Sequence, residues 1–267
     1  SDVCSSDLKI VLDVLALRGG TVLVESPCSW TILRVLKSFN IRVIEVPLDA
    51  QSCVDLACFQ ALLSKENIGL ALLPSCVSPI IGPAAVENRR QLAGLLNQHG
   101  VWVLENDSHG ELCFEQSANR LRDWVNPHRL MVFSAFDKII GPEAPYGYVL
   151  CKHLRTELQQ HFLVRSFRLS PIRQKAIARL YSTGRIDLHV IGLRRLLEDR
   201  MLMMATLLNE RVGDSLRFNL PAGGAGIWAE CIQPVNMRQV FDRLLKQRIS
   251  IADRKSTRLN SSHNHDL

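Results

Sequence analysis

Short apolar runs rich in β-branched residues alternate with stretches of helical periodicity from Thr21 onward, and this alternation limits the fold more than any other feature of the sequence. Strands that are apolar on both faces are typical of a parallel sheet covered by helices. The pattern therefore predicts an α/β fold with a mostly parallel sheet built from βαβ units. The predicted strands are residues 21–26, 42–46, 68–73, 101–104, 130–134 and 147–151, and the predicted helices between them are residues 30–39, 55–64 and 87–98.

The pattern changes near Lys152, where the alternation of strands and helices gives way to longer helices. The later elements are predicted as helices at 171–182, 188–210 and 235–248 and as short strands at 217–219 and 227–231. We therefore expect a large sheet domain over residues 9–152 and a smaller α+β domain over residues 153–252. No repeat or low-complexity linker separates them, so the second domain is expected to pack directly on the first.

Composition excludes several classes of protein. A hydrophobic content of 47% with 22% charged residues argues against a disordered chain. No apolar run approaches the roughly 20 residues that cross a bilayer, so a membrane protein is not expected. The eight cysteines form no C-x-x-C pair and follow no secretory signal, which favours reduced thiols and a cytoplasmic protein. The net charge of +6 is small and is typical of a solvated surface.

The two ends of the chain are related at the level of the DNA that can encode them. With permitted codons, residues 253–259 can be written as GATCGGAAGAGCACACGTCTG, followed by A from the next codon. The reverse complement of that DNA translates as Ser-Asp-Val-Cys-Ser-Ser-Asp, which is residues 1–7. This relation resembles read-through of a sequencing-library adapter joined to both ends of a DNA fragment. We therefore expect residues 1–8 and 253–267 to be adapter-derived tails and the domain between them to be truncated at both ends.

Polar residues follow three of the predicted strands, at 74–78, 105–109 and 134–138. The carboxyl ends of parallel strands meet at one edge of a sheet, and ligands bind beyond that edge. One of these residues is a lysine, Lys138, and a neutral lysine amine can form a Schiff base with an aldehyde. The three segments together predict a site for a phosphorylated carbonyl cofactor.

Five segments in one order carry a resemblance to a known family. They are residues 20–27 (GTVLVESP), 74–79 (PSCVSP) with 87–90 (ENRR), 105–112 (ENDSHGEL), 134–138 (SAFDK) with the glycines up to 148, and 221–228 (PAGGAGIW). In this order and spacing they resemble the aminotransferase class I/II fold, which is fold type I of the pyridoxal-phosphate enzymes. Within that fold they are most similar to the aminotransferase-like domain of MocR-type GntR-family regulators.

The resemblance implies a cofactor, pyridoxal 5'-phosphate, and a set of residues around it. It makes Lys138 the residue that forms the internal aldimine and then shuttles a proton at the substrate α-carbon. Asn106 or Asp107 would contact the pyridine nitrogen, and alternation along the strand leaves open which of the two does so. Ser78 stands where the family has an asparagine facing the ring oxygen, and Ser134 opens the lysine segment.

Several positions depart from the family pattern. Asn106 replaces a carboxylate that keeps the ring nitrogen protonated, and an amide does this poorly. On the phosphate side, Ala135 replaces a serine and Pro145 aligns with an arginine. Asp137 would repel a phosphate, so it is expected to point elsewhere or to mark an altered phosphate site. The family's phosphate-binding helix precedes the strand at Thr21, and we expect truncation to have removed it.

These departures favour sensing over turnover, because sensing tolerates a weaker electron sink. The leading hypothesis is the sensor domain of a MocR-type regulator, which detects the cofactor or an amino compound, forms a homodimer and reaches DNA only through an upstream winged-helix domain. A free-standing aminotransferase is the first alternative. A degenerate domain that only dimerises, without pyridoxal phosphate, is the second. No cluster of Cys and His has the spacing of a metal site.

A group of cations on the helix predicted at 188–210 and just before it has two interpretations. The group consists of Arg185, His189, Arg194, Arg195 and Arg200. These residues could contact nucleic acid, but the apolar residues between them mark an amphipathic helix. A solvated polar face is therefore the favoured interpretation.

Overall fold

A single six-stranded sheet organises the part of the chain from Thr21 to Cys151. The computed structural model describes residues 3–25, 28–46, 53–76, 85–115, 119–141, 144, 146–164 and 170–251. The sheet strands are β1 (Thr21–Glu25), β2 (Arg42–Val46), β3 (Leu70–Pro74), β4 (Trp102–Asn106), β5 (Leu130–Ala135) and β6 (Gly147–Cys151). Their order is β2-β1-β3-β4-β5-β6, and every neighbouring pair is parallel except β5 with β6.

Helices cover both faces of this sheet and make up most of the regular structure after β6. They are α1 (Val3–Val14), α2 (Trp30–Ser38), α3 (Leu56–Lys65), α4 (Ala85–His99), α5 (Arg155–Val164), α6 (Pro171–Ser182), α7 (Arg185–Val212) and α8 (Met237–Lys246). A two-stranded antiparallel ribbon, β7 (Leu216–Phe218) with β8 (Ala229–Cys231), lies between α7 and α8 in the chain. Side-chain caps begin two helices, since Asp55 accepts from the Cys58 amide before α3 and Asn236 accepts from the Gln239 amide before α8.

Alternation along the strands divides the core into two layers. Leu104 of β4 packs with α1 and α2 on one face of the sheet, whereas its neighbour Val103 packs with α3 and α4 on the other face. Both side chains are fully buried. Each β4 residue therefore belongs to one of two distinct environments according to its position in the strand. This division continues to the end of β4, where the candidate site lies.

The structure confirms the predicted α/β class and the six predicted sheet strands, with shifts of one or two residues at their ends. It also shows the α+β character of the part after residue 152. Strand β6 lies at the edge of the sheet and is antiparallel to β5. Its apolar composition, which resembles that of the parallel strands, did not reveal this direction. Helix α5 was not predicted, because its apolar residues are interrupted by polar ones without a clean period.

The expectation that the helix before β1 is missing was wrong. Helix α1 occupies that place, and Leu8 and Leu12 are fully buried at helical spacing against the sheet. Its backbone is helical from Val3, so the boundary predicted at Lys9 does not coincide with the start of an element. The predicted tail over residues 253–267 lies outside the described residues. None of the helices that the structure describes is long and apolar enough to cross a bilayer.

The two-layer core makes a first prediction. Replacing Leu104 with Ala removes a fully buried side chain from the centre of the sheet, and we expect the free energy of unfolding to fall by about 2–5 kcal/mol. Leu188→Ala is the matched control, because Leu188 is 71% exposed and its loss should change stability by less than about 0.5 kcal/mol. Chemical denaturation of both variants measures the difference. Equal losses would contradict the assigned core.

Candidate functional site

Three neighbouring parallel strands end at the same edge of the sheet and are joined there by hydrogen bonds. The Ser75 amide, just beyond β3, donates to the Asn106 carbonyl at 3.0 Å. The Asp107 amide donates to the Phe133 carbonyl of β5 at 2.9 Å, and the Ser134 hydroxyl donates to the Asp107 carbonyl at 3.1 Å. Ser134 is 5% exposed. The predicted convergence of these three strand ends is confirmed, and Ser134 acts there as a buried link between β4 and β5.

Lys138 lies on a single 3-10 turn, Phe136–Lys138, directly after β5. The Phe136 amide donates to the Tyr146 carbonyl at 2.8 Å, which closes the loop that carries the lysine. The Lys138 side chain is 45% exposed, and its Nζ lies 3.3 Å from Oδ2 of Asp137. Asp137, which was expected either to point elsewhere or to mark an altered phosphate site, is thus directed at the lysine amine. The geometry leaves an accessible amine beside a carboxylate that can exchange protons with it.

Asn106 and Asp107 face opposite sides of the sheet. Asn106 shares the face of Leu104, on which α1 packs, while Glu105 and Asp107 share the other face. Oδ1 of Asn106 accepts from the Ser108 amide at 3.1 Å. Nδ2 is a donor and Oδ1 keeps a second lone pair, so this side chain can offer a ligand a neutral donor or acceptor but no negative charge.

Asp107 is held by arginines within the protein. Its side chain is fully buried, and Oδ2 accepts from Nη1 of Arg120 at 2.8 Å and from Nη2 of Arg122. Glu105, equally buried, accepts from Nε of Arg122 at 2.8 Å. Desolvation raises the pKa of Glu105, and the charge of Arg122 opposes that rise. We refer to Glu105, Asp107, Arg120 and Arg122 as the buried ion cluster.

The sequence did not reveal this cluster. Its two arginines lie on either side of the buried Leu121, in a stretch without strand or helix periodicity. Their only sequence signal was their proximity to the acidic residues at the end of β4. Pairing between them depends on how the 3-10 turn Leu121–Asp123 folds back against that strand end.

Helix α7 is fixed to the strand ends by polar contacts. Nε of Arg194 donates to the Glu111 carbonyl at 2.6 Å, and Oε1 of Glu111 accepts from Arg120 at 2.9 Å. A ring nitrogen of His189 lies 2.8 Å from the Ile139 carbonyl, one residue beyond Lys138. The other three cations of the group are exposed as expected: Arg185, Arg195 and Arg200. The solvated-face interpretation is wrong for Arg194, because that side chain is half-buried against the large domain.

His109 belongs to the electrostatic environment of the lysine, although the sequence analysis did not select it. Desolvation lowers the pKa of His109, the charge of Lys138 lowers it further, and Asp137 raises it. The ring is therefore neutral near pH 7 and can both donate and accept a hydrogen bond. Ser78 and Pro145 lie outside the described residues. Within the described part of the chain, no group of three or more His, Cys, Asp or Glu residues could hold a metal ion.

The packing of Gly110 against Asp107 makes a second prediction. A Cβ at Gly110 would lie 1.8 Å from Oδ1 of Asp107, so Gly110→Ala must displace a buried carboxylate from its arginines. We expect the free energy of unfolding to fall by about 3 kcal/mol. Gly94→Ala is the control, since nothing lies within 4 Å of a Cβ there and α4 should gain about 0.5–1 kcal/mol. Similar changes in the free energy of unfolding for the two variants would show that the Asp107 carboxylate is not held in the described position.

Comparison with curated proteins finds relatives along most of the chain. The uncharacterized HTH-type transcriptional regulator YjiR of Escherichia coli is 26% identical over 254 residues, which are 93% of this chain and 53% of YjiR. The uncharacterized HTH-type transcriptional regulator YisV of Bacillus subtilis is 25% identical over 96% of this chain and 55% of its own length. The chain thus spans about half the length of these relatives. No family model matches the sequence.

Solved structures with the same fold include aminotransferases. Kynurenine aminotransferase of Pyrococcus horikoshii superposes with a TM-score of 0.84 at 17% identity, over 96% of this chain and 65% of its own. LysN, the α-aminoadipate aminotransferase of Thermus thermophilus, also gives 0.84, at 18% identity over 96% of this chain and 67% of its own. These similarities confirm the fold that the five sequence motifs implied. The chain is thus similar in sequence to HTH-type transcriptional regulators, and it has the fold of pyridoxal-phosphate-dependent aminotransferases.

Proposed function

We propose that this chain binds pyridoxal 5'-phosphate and serves as the sensor part of a MocR-type GntR-family transcriptional regulator. The observation that carries the proposal is the accessible Lys138 amine at the edge where β3, β4 and β5 end. Three structural neighbours support the choice of cofactor. The P. horikoshii enzyme was solved with PMP, LysN with N-(5'-phosphopyridoxyl)-L-leucine and a Staphylococcus hominis C-S lyase with PLP.

The residues at the strand ends fit such a ligand. When bound, pyridoxal phosphate supplies an aldehyde that condenses with amines and a ring that withdraws electrons. Lys138 would hold the aldehyde carbon through Nζ, with Asp137 beside it to accept or return a proton. Asn106 would direct its Nδ2 donor at the ring nitrogen from the α1 side of the sheet.

The neutral amide at Asn106 favours sensing over turnover. Asp107 would not replace the carboxylate that is missing at position 106, because it lies on the opposite face of the sheet. There it is neutralised by Arg120 and Arg122. Beside a neutral amide, a bound ring would keep its nitrogen unprotonated and would withdraw electrons less strongly than it would beside a carboxylate. A sensor needs only to bind the cofactor or an amino compound, so slow chemistry is compatible with that role. An efficient enzyme must also stabilise the transition state of the reaction.

The remaining parts of the function follow from the relatives. They are HTH-type regulators about twice as long as the matched region, so we propose that DNA is bound by a segment outside this chain and that the protein is cytoplasmic. We also propose that two copies form a homodimer. A free-standing aminotransferase acting on an amino acid is the second candidate, favoured by the fold of the structural neighbours.

Covalent trapping tests the role of Lys138. Pyridoxal phosphate followed by borohydride should reduce a Schiff base and add the cofactor's mass to the peptide that contains Lys138. Lys138→Ala should lose both the visible absorbance of the Schiff base before reduction and the mass label after it. Lys152→Ala, which removes an exposed lysine after β6, should keep both. Labelling of another lysine at full yield would overturn the assignment.

The state of the ring nitrogen tests the role of Asn106. With cofactor carrying 15N in its ring, the wild-type protein should show the chemical shift of an unprotonated pyridine. Asn106→Asp should move the signal far upfield, because a carboxylate stabilises the protonated ring. Asn209→Asp, an exposed position on α7, should leave it unchanged.

The same samples separate a sensor from an enzyme. Wild-type protein should transfer amino groups far more slowly than the roughly 1–1000 turnovers per second of ordinary enzymes, and Asn106→Asp should be faster. A protonated ring in the wild type would contradict the role of Asn106. Ordinary turnover by the wild type would favour the aminotransferase.

A further inference from the structure

Two buried cysteines from different elements meet beneath the strand-end edge. Cys76 follows β3 and Cys113 follows the 3-10 turn Gly110–Leu112, and the two side chains pack together as a separate small cluster. They are 7% and 3% exposed, and both are free thiols. Sγ of Cys76 lies 4.0 Å from the Gly110 carbonyl, and Sγ of Cys113 lies 3.5 Å from the Ala222 carbonyl.

The two thiols differ in acidity because one donates to the other. The hydrogen bond from Cys76 lowers the pKa of Cys113 to about 6 even though burial raises it, and the Glu115 amide and the charge of Arg194 lower it further. The same hydrogen bond, together with burial, raises the pKa of Cys76. Of the two thiols in contact, Cys113 is therefore the more acidic and is converted to a thiolate more readily. A thiolate is the reactive form of cysteine, and a neighbouring thiol can resolve its oxidised product.

We propose that Cys76 and Cys113 are a modification site, a dithiol that a peroxide converts to a disulfide. The Cys113 thiolate attacks one peroxide oxygen, the O–O bond breaks, and the departing hydroxide takes up a proton to become water. Cys113 is left as a sulfenic acid. The Cys76 sulfur then attacks the Cys113 sulfur, the S–O bond breaks, and the Cys76 proton leaves with that oxygen as a second water. The two thiols lose two electrons, which the peroxide gains.

The disulfide would fix a segment that connects the two domains. The Phe114 amide donates to the Ala222 carbonyl at 2.9 Å, and the Gly224 amide donates to the Leu112 carbonyl at 3.0 Å. Residues 110–114 thus join the turn before β8 to the strand ends. A bond from Cys113 to Cys76 would tie this segment covalently to the end of β3. Its redox state would then restrain the loop that begins at His109, beside Lys138.

Peroxide titration with peptide mapping tests the site. The 267-residue chain is treated with graded hydrogen peroxide, blocked with an alkylating agent and digested without reductant. We expect a linked Cys76–Cys113 peptide to form before the exposed Cys58 or Cys231 is oxidised. Thioredoxin or dithiothreitol should reverse it. Cys58→Ser, the control variant, should form the same link, whereas Cys76→Ser and Cys113→Ser should not.

The pH dependence of alkylation separates a reactive pair from two packed thiols. Cys113 should react with a midpoint near pH 6, and Cys76→Ala should move that midpoint towards the ordinary thiol value of about 8.5. An unchanged midpoint would overturn the proposal. Oxidation of Cys113 to a sulfinic acid with no link to Cys76 would also overturn it, and that result needs only the wild-type chain. Neither outcome depends on pyridoxal phosphate.

Discussion

The buried carboxylate of Asp107 is the interaction on which the strand-end edge depends. A charge with a fully buried side chain is tolerated only when it is paired, and Arg120 and Arg122 provide that pairing. The arginines in turn bring the turn Leu121–Asp123 against β4 and hold Glu111, which also binds Arg194 of the small domain. One buried charge thus connects the sheet, the loop beyond it and helix α7.

This pairing also determines which chemistry the edge can offer. With Asp107 held on one face of the sheet, the other face presents Asn106, whose side chain is a neutral amide. The accessible amine of Lys138 stands next to Asp137 rather than in an apolar pocket. An accessible amine, a neutral amide and a carboxylate paired with arginines are the groups on which the proposed cofactor site rests.

Much of the fold could be predicted because it is local in origin. Strand β4 begins with the apolar residues 102–104 and follows closely on a helix that stops just before Gly100, and both features are visible in the sequence. Helix α1 escaped prediction although Leu8 and Leu12 have helical spacing, because its first turns overlap the adapter-like residues, which were not considered as part of the fold. The direction of β6 could not be predicted, since an edge strand can be apolar in either orientation.

By itself the sequence determined the fold class, the approximate strands and the order of motifs that places Lys138 after β5. These depend on periodicity and spacing, which neighbouring residues carry. Only the tertiary structure decided that Asn106 and Asp107 face opposite ways with fixed partners, and that Cys76 meets Cys113. Asp107 pairs with Arg120 and Arg122, which belong to another element. The two cysteines also come from different elements. Such contacts exist only after the chain has packed, so no local pattern could contain them.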